Sequence, residues 1–399
     1  MLIKRDIETI LGDYAKFPAV AILGPRQSGK TTLAKKFFTN HKFLSLEDPA
    51  TREFAFSDPL NFLRSNENPY GLILDEFQYV PQIMSYIQLE ADSKNRPGYF
   101  VLTGSQNFLM NQAITQSLAG RVGILTLLPY SINELAQNQL LPDFSNNLII
   151  NGSYPRLYTE KLIAQQLYSS YIHTYIERDV RQLTNVGDLN LFQTFIMLCA
   201  GRVGQLLNIS DIAVSCGISA PTVTKWLAIL EASYIVFRLA PHFKNFNKRV
   251  VHKPKLYFYD TGIACNLLGI NHDKDLLASP FRGPLFENLI ITDFMKQFQN
   301  LGQRPALYFW RDKNGHAEVD ALIEIASQYL IPIEMKASET ISSNNFFNSL
   351  GFWNKLADTK PENNYVIYAG AENQIRAKGN IISWRKTGKI VNTILTKDY

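Results

Sequence analysis

The run AVAILGPRQSGKTTLAKKFF, residues 19–38, constrains the fold more than any other segment of this chain. Ala19 to Leu23 is an apolar run of strand length. Gly24, Pro25, Arg26, Gln27, Ser28, Gly29, Lys30 and Thr31 then satisfy G-x-x-x-x-G-K-S/T at every fixed position. Leu33 and Phe37, and Ala34 and Phe38, recur at helical spacing behind it. Strand, loop and helix in that order form a phosphate-binding loop. Its glycines let backbone N–H groups curl around phosphate oxygens. The helix N-terminus adds partial positive charge. Lys30 then reaches the β- and γ-phosphates, Thr31 offers a hydroxyl to Mg²⁺, and Thr32 continues the phosphate-facing turn.

Such a loop needs a second strand ending in acids. GLILDEFQYV (71–80) supplies one, with Asp75 and Glu76 at its carboxyl end, where ligands bind in an open α/β sheet. Asp75 is expected in the Mg²⁺ shell, and Glu76 is expected to orient or deprotonate the attacking water. A third strand, YFVLTG (99–104), ends in Ser105, Gln106 and Asn107. These polar groups can sense a γ-phosphate, or Ser105 or Asn107 can cap a helix. A helix then stops at Gly120, and a strand runs from Val122 to Leu128. Arg121 stands at that corner. It can stabilise transition-state charge in a neighbouring subunit's site, which implies a homo-oligomer, or face the dipole of the helix it follows.

GPRQSGKTTL, LILDEFQYVP, VLTGSQN and SLAGRV together resemble the AAA-type P-loop ATPases of prokaryotes that carry a second, C-terminal region. The resemblance covers nearly the whole chain. It implies nucleotide roles for Lys30, Thr31, Asp75 and Glu76, a sensor position at Ser105 or Gln106, and Arg121 as an arginine finger. One departure lies in NGSYPRLY (151–158), where related proteins carry a small residue or an acid in place of Arg156.

The middle of the chain reads as helical, with Arg178, Asp179 and Arg181 forming a charged face or a contact surface near the end of one long helix. ISDIAVSCGISAPTVTKWLAILEASYIVFRL (209–239) is more specific. Ser210 is expected to cap a helix from Asp211 to Cys216 that Gly217 ends. Ser219 is expected to cap a second, with Pro221 in its first turn. A strand follows, giving the winged helix-turn-helix plan. The second helix carries one lysine and two threonines but no arginine to read guanine. Basic residues gather later, at Lys244, Lys248, Arg249, Lys253 and Lys255, where they can contact phosphates. DNA docking and a pure inter-domain adaptor both remain open.

In the last third, FRGPLFENLIITDFMKQF reads as an amphipathic helix bearing Glu287. Strands follow at 306–312, at EVDALIEI and at YLIPIEMKAS. Glu334 and Lys336 share one strand face, while Ile333 and Met335 share the other. A helix, then an acid at Asp320, then E-x-K, is similar to the PD-(D/E)xK nuclease fold, and C-terminal regions of the ATPases above look like it too. That likeness implies Mg²⁺ held by Asp320 and Glu334 with Glu287, and Lys336 positioning a water or stabilising developing charge. Acids that only blunt a sheet edge are the alternative. His316 reads as a loop residue.

The 399 residues are divided accordingly: an ATPase domain at 1–155, a helical linker at 156–205, a winged helix at 206–270 and an α+β nuclease-like domain at 280–399, with 141–147 and 271–280 as connecting segments. A net charge of +5 is compatible with nucleic acid but also with ordinary enzymes. Three scattered cysteines without a CxxC argue against a disulfide framework or zinc site. The N-terminus lacks a long apolar core, and no apolar run nears 18 residues, so a cytoplasmic chain without a membrane span is expected. The expected activity is Mg²⁺-dependent ATP hydrolysis coupled to nucleic acid, DNA first. The alternative is a nucleotide switch that binds a protein partner, with an inert nuclease-like fold.

Overall fold

Five short strands build the first sheet, and the three inner ones are buried along their whole length. The five are β1 (Ala19–Leu23), β2 (Lys42–Ser45), β3 (Leu72–Asp75), β4 (Phe100–Gly104) and β5 (Val122–Thr126). In the computed structural model they lie parallel in the order β2-β3-β4-β1-β5. The model describes all residues except 1–2, 95, 106–117, 177–188, 243–251, 313–314, 316, 326–328, 342–343 and 397–399. Alternation along β1 explains why helices cover both faces. Val20 and Ile22 pack with Leu11, Leu33 and Phe38, while Ala19, Ala21 and Leu23 pack with Leu74, Met84 and Ile87. The sheet is that of a P-loop NTPase, and its carboxyl edge brings the ends of β1, β3 and β4 side by side.

The middle region begins with short helices and reaches a pair, Ile209–Cys216 and Ala220–Ala232, whose axes bend by 104°. Gly217 ends the first in the left-handed region, at φ 69°. Ser219 Oγ accepts the backbone N–H of Thr222 and caps the second. Ser210 does not cap the first. That helix starts two residues earlier, at Ile209, with Asn208 before it and no side-chain cap. β6 (Val236–Leu239) then pairs antiparallel with β7 (Lys255–Phe258). The expected helical face is buried at Val223, Trp226, Leu227 and Leu230, and Lys225 is exposed. Lys255 is a correction. It is 2% exposed and cannot meet a phosphate on the surface, because β7 is buried along its whole length. Lys253 is exposed, and Lys244, Lys248 and Arg249 lie outside the described residues, as do Arg178, Asp179, Arg181 and His316.

The last region is a mixed sheet built from β8 (Leu307–Arg311), β9 (Glu318–Ile325), β10 (Tyr329–Lys336), β11 (Tyr365–Tyr368), β12 (Gln374–Arg376) and β13 (Gly379–Ser383). Their order is β12-β13-β11-β10-β9-β8. The Arg282–Asn300 helix packs on β10, beside a core that holds Ile331, Ile333 and Met335. The Asn348–Ala357 helix packs with a second cluster, around Val319, Leu330, Val366 and Trp353. Segment 271–280, expected as a connector, contains the Asp273–Ala278 helix, which begins with a capping box between His272 and Asp275. One cluster of buried side chains runs from Tyr130 through the middle region to Ile394. No single helix among the described residues is long and apolar enough to cross a membrane.

A candidate nucleotide site and a buried carboxylate cluster

Local backbone chemistry shapes the phosphate loop. Gly24 has φ +148°, and a Cβ there would sit 2.1 Å from the carbonyl oxygen of Leu127. Only glycine lets the chain leave β1 this close to its neighbour. Gly29, at φ +96°, turns the chain into the Lys30–Phe37 helix, whose first N–H groups lack intrahelical acceptors. Gly29 borders a cavity of about 510 Å³, lined by Gln27 to Thr32 and by Glu76, Tyr130 and Arg156. Ser28 Oγ and Gln27 Oε1 are buried there with no partner among the described residues.

The lysine and the acids lie at the same place. Lys30 is 4% exposed, and its ammonium donates to the carbonyls of Gly24 at 3.0 Å and Pro25 at 2.7 Å. Thr31 Oγ1 donates to Asp75 Oδ1 at 2.7 Å, and Thr103 donates to the same oxygen. A hydroxyl and a carboxylate side by side make a hard-oxygen pair of the kind Mg²⁺ takes. Glu76 sits in the left-handed region, at φ 54°, a conformation that costs a non-glycine residue about 1 kcal/mol or more. Its Oε2 accepts from Ser105 Oγ at 3.0 Å and from Gln78 Nε2. Gln78 Nε2 also reaches Ser105 Oγ, and its Oε1 is buried without a partner among the described residues. Sequence reasoning passed over Gln78. The only signal was an amide two residues beyond the acid pair.

The other candidates divide. Arg26 is buried, with its guanidinium 3.9 Å from Glu47. Thr32 lines the cavity. Gln106 lies outside the described residues. Arg121 stands at the amino edge of the sheet, one strand length or about 16 Å from the phosphate loop. There it pairs with Asp92, which raises its pKa. Arg156 forms a two-point pair with Glu160, at 2.9 and 2.8 Å, on the cavity wall.

A buried brace that the sequence did not reveal supports the loop. Arg5 donates to Ser28 O at 2.9 Å, to Leu128 O at 2.6 Å and to Glu134 at 2.8 Å. Glu134 closes a capping box with Ser131. One turn away, Asp293 Oδ1 accepts Ile132 N at 2.7 Å, and Lys296 donates to Tyr130 O at 3.0 Å. Burial pushes the Asp293 carboxyl up to about 6. Replacing Arg5 by Ala is expected to leave Glu134 short of its cation and cost about 3 kcal/mol of stability, read from urea unfolding.

The second constellation centres on β9 and β10, where Ala321 pairs with Ile333 and so sets Asp320 beside Glu334. Asp320 Oδ2 accepts Met335 N at 2.8 Å, and Lys336 donates to Glu334 Oε2 at 2.8 Å. Burial, then Glu334 and Glu287, raise the Asp320 carboxyl well above the usual range. Burial also raises Glu334, against the pull of Lys336. Glu287 is drawn elsewhere. It accepts from Lys255 at 2.8 Å and from Tyr257 OH at 2.5 Å, and Lys255 also pairs with Glu318. Burial works to lower the Lys255 ammonium, but Tyr257, Glu287, Glu318 and Asp320 outweigh it and hold it well above the ordinary lysine value. Among the described residues, no three His, Cys, Asp or Glu side chains meet in an arrangement that would hold a metal ion.

Comparison with known proteins fits the first site. Residues 16–136 match the AAA domain family, residues 143–274 match a domain of unknown function (DUF8612), and residues 282–387 match another (DUF4143). An uncharacterized protein of Mycobacterium tuberculosis is 29% identical over 334 residues, covering 82% of this chain and 72% of that one. One of Haemophilus influenzae is 22% identical over 276 residues, covering 62% and 68%. Among solved structures, the Walker-type ATPase of Pyrococcus abyssi aligns with 66% of this chain and 94% of its own, at 15% identity and a TM-score of 0.42. The Thermotoga maritima RuvB Holliday junction branch migration motor aligns with 59% and 90%, at 18% identity and a TM-score of 0.32. Residues 16–136, with their parallel sheet, phosphate loop and strand-end acids, match the AAA domain family and have the fold of a P-loop NTPase.

Proposed function

We propose that this protein binds ATP with Mg²⁺ at the phosphate loop and hydrolyses it, and that the nucleotide state acts on the C-terminal two-thirds of the chain. The supporting observation is the Thr31–Asp75 pair beside a glycine cradle with an unpartnered buried hydroxyl at Ser28. Backbone N–H groups from Gly24 to Gly29 would wrap the phosphates, with Arg26 held back by Glu47. Lys30 would exchange its carbonyl partners for β- and γ-phosphate oxygens. Thr31 and Asp75 would hold Mg²⁺, which supplies neutralisation of charge on the transferring phosphoryl group. Glu76 would orient the attacking water and take its proton, and Ser105 would relay the state of the γ-phosphate.

Gln78 extends this reading. Its N–H₂ holds one oxygen of Glu76, which leaves its buried carbonyl as an acceptor for the same water. Gln78→Ala is expected to slow turnover about 10- to 100-fold with little change in nucleotide affinity, as loss of a positioning group typically does. Equal losses in affinity and turnover would contradict that assignment. Turnover should require Mg²⁺ and stop with a chelator.

Coupling is supported by the Arg282–Asn300 helix, which carries Glu287 near one end and Asp293 and Lys296 against the Tyr130–Ile132 segment near the other. Arg121 faces away from its own chain's site, as a finger acting on a neighbouring subunit would. Mixing Arg121→Ala with Glu76→Gln chains is expected to restore turnover that each lacks alone. DNA engagement rests on the helix pair with its β6–β7 hairpin and on exposed Lys225 and Lys253. It predicts salt-dependent binding and faster ATP turnover with DNA. Neither effect would be seen if the chain is a nucleotide switch for a protein partner, the reading that the Lys255 ion pairs favour.

A further inference from the structure

We infer that the carboxylate cluster of the C-terminal sheet is a closed ion-pair joint, in which the ammonium of Lys255 takes the position that a divalent cation would otherwise fill. Lys255 belongs to β7, in the middle region, and not to the sheet whose acids it meets. Its side chain is 3% exposed and touches Glu287 on the Arg282–Asn300 helix and Glu318 on β9. Those two elements carry the acids that a metal site here would need. Tyr257, two residues along β7, donates to the same Glu287 oxygen, so that carboxylate is turned towards the middle region. Glu318 is further engaged by Arg311 at 3.3 Å. Glu334 is held by Lys336.

Four carboxylates, Glu287, Glu318, Asp320 and Glu334, thus face three built-in cations, Lys255, Lys336 and Arg311. Little negative charge remains to repay stripping water from a dication, and Mg²⁺ in particular gives up its water reluctantly. The residues present do not fit an open metal centre. They fit a joint that pins the β6–β7 hairpin against the C-terminal sheet. One atom is left over: Glu334 Oε1 is buried and has no partner among the described residues. It marks where a cation would sit once Lys255 is gone.

The test is Mn²⁺ binding by electron paramagnetic resonance on the full chain without nucleotide, comparing wild type, Asp320→Asn and Lys255→Met. The expected wild-type result is no saturable site tighter than about 1 mM that Asp320→Asn removes. Lys255→Met, shown to be folded by circular dichroism, should gain one such site, and adding Asp320→Asn should abolish it. A wild-type Mn²⁺ site lost in Asp320→Asn would overturn the inference. So would a folded Lys255→Met chain that gains no site. If Lys255→Met does not fold, the wild-type and Asp320→Asn comparison decides alone.

Discussion

Glu76→Gln is expected to bind ATP–Mg²⁺ about as well as the wild type and to hydrolyse it at least ~100-fold more slowly, the usual scale for losing a general base. The amide keeps the size of the carboxylate. Its oxygen can still accept from Ser105 and Gln78, so the turn at φ 54° should survive. What it cannot do is take a proton. Single-turnover hydrolysis beside calorimetric binding separates the two effects. Wild-type turnover in the variant would remove Glu76 from the chemistry and leave Asp75 as the strand-end acid with a function.

Lys30→Ala should act one step earlier, on binding itself. Two charge-assisted hydrogen bonds to phosphate are worth about 1.5–3 kcal/mol each, so affinity should fall about 100-fold or more. The fold should tolerate the change, because the ammonium donates to two loop carbonyls, which the cavity can expose to water. Calorimetry with ATP–Mg²⁺ and the nucleotide-dependent rise in melting temperature both read this loss. Unchanged binding by a folded Lys30→Ala chain would defeat the nucleotide reading as a whole.

The two sites differ in how much of them a sequence can carry. The phosphate loop was legible because its determinants are local. An apolar strand, two glycines and a lysine within a dozen residues specify its backbone without help from distant segments. Asp75 and Glu76 were legible because the end of a buried strand is a fixed place in a parallel sheet. Arg5 was not legible. Its three acceptors lie 23, 123 and 129 residues away, and nothing near Arg5 announces them. Lys255 was misplaced for a related reason. In a run of lysines it reads as surface charge, and only the pairing of β7 with β6 and its burial beneath the Arg282–Asn300 helix turn it inward. Glu287 followed: the nuclease likeness grouped it with Asp320 and Glu334, but its hydrogen-bond partners come from another region.

The amino-acid sequence alone determined the phosphate cradle, the acids opposite it, and the pairing of Glu334 with Lys336 on one strand face. All of these follow from backbone geometry over a few residues. Tertiary structure alone decided that the cradle rests on Arg5, that Gln78 holds Glu76, and that a lysine sits among the C-terminal carboxylates. A buried charge must find its partner wherever folding brings one, and chain separation places no limit on where that is.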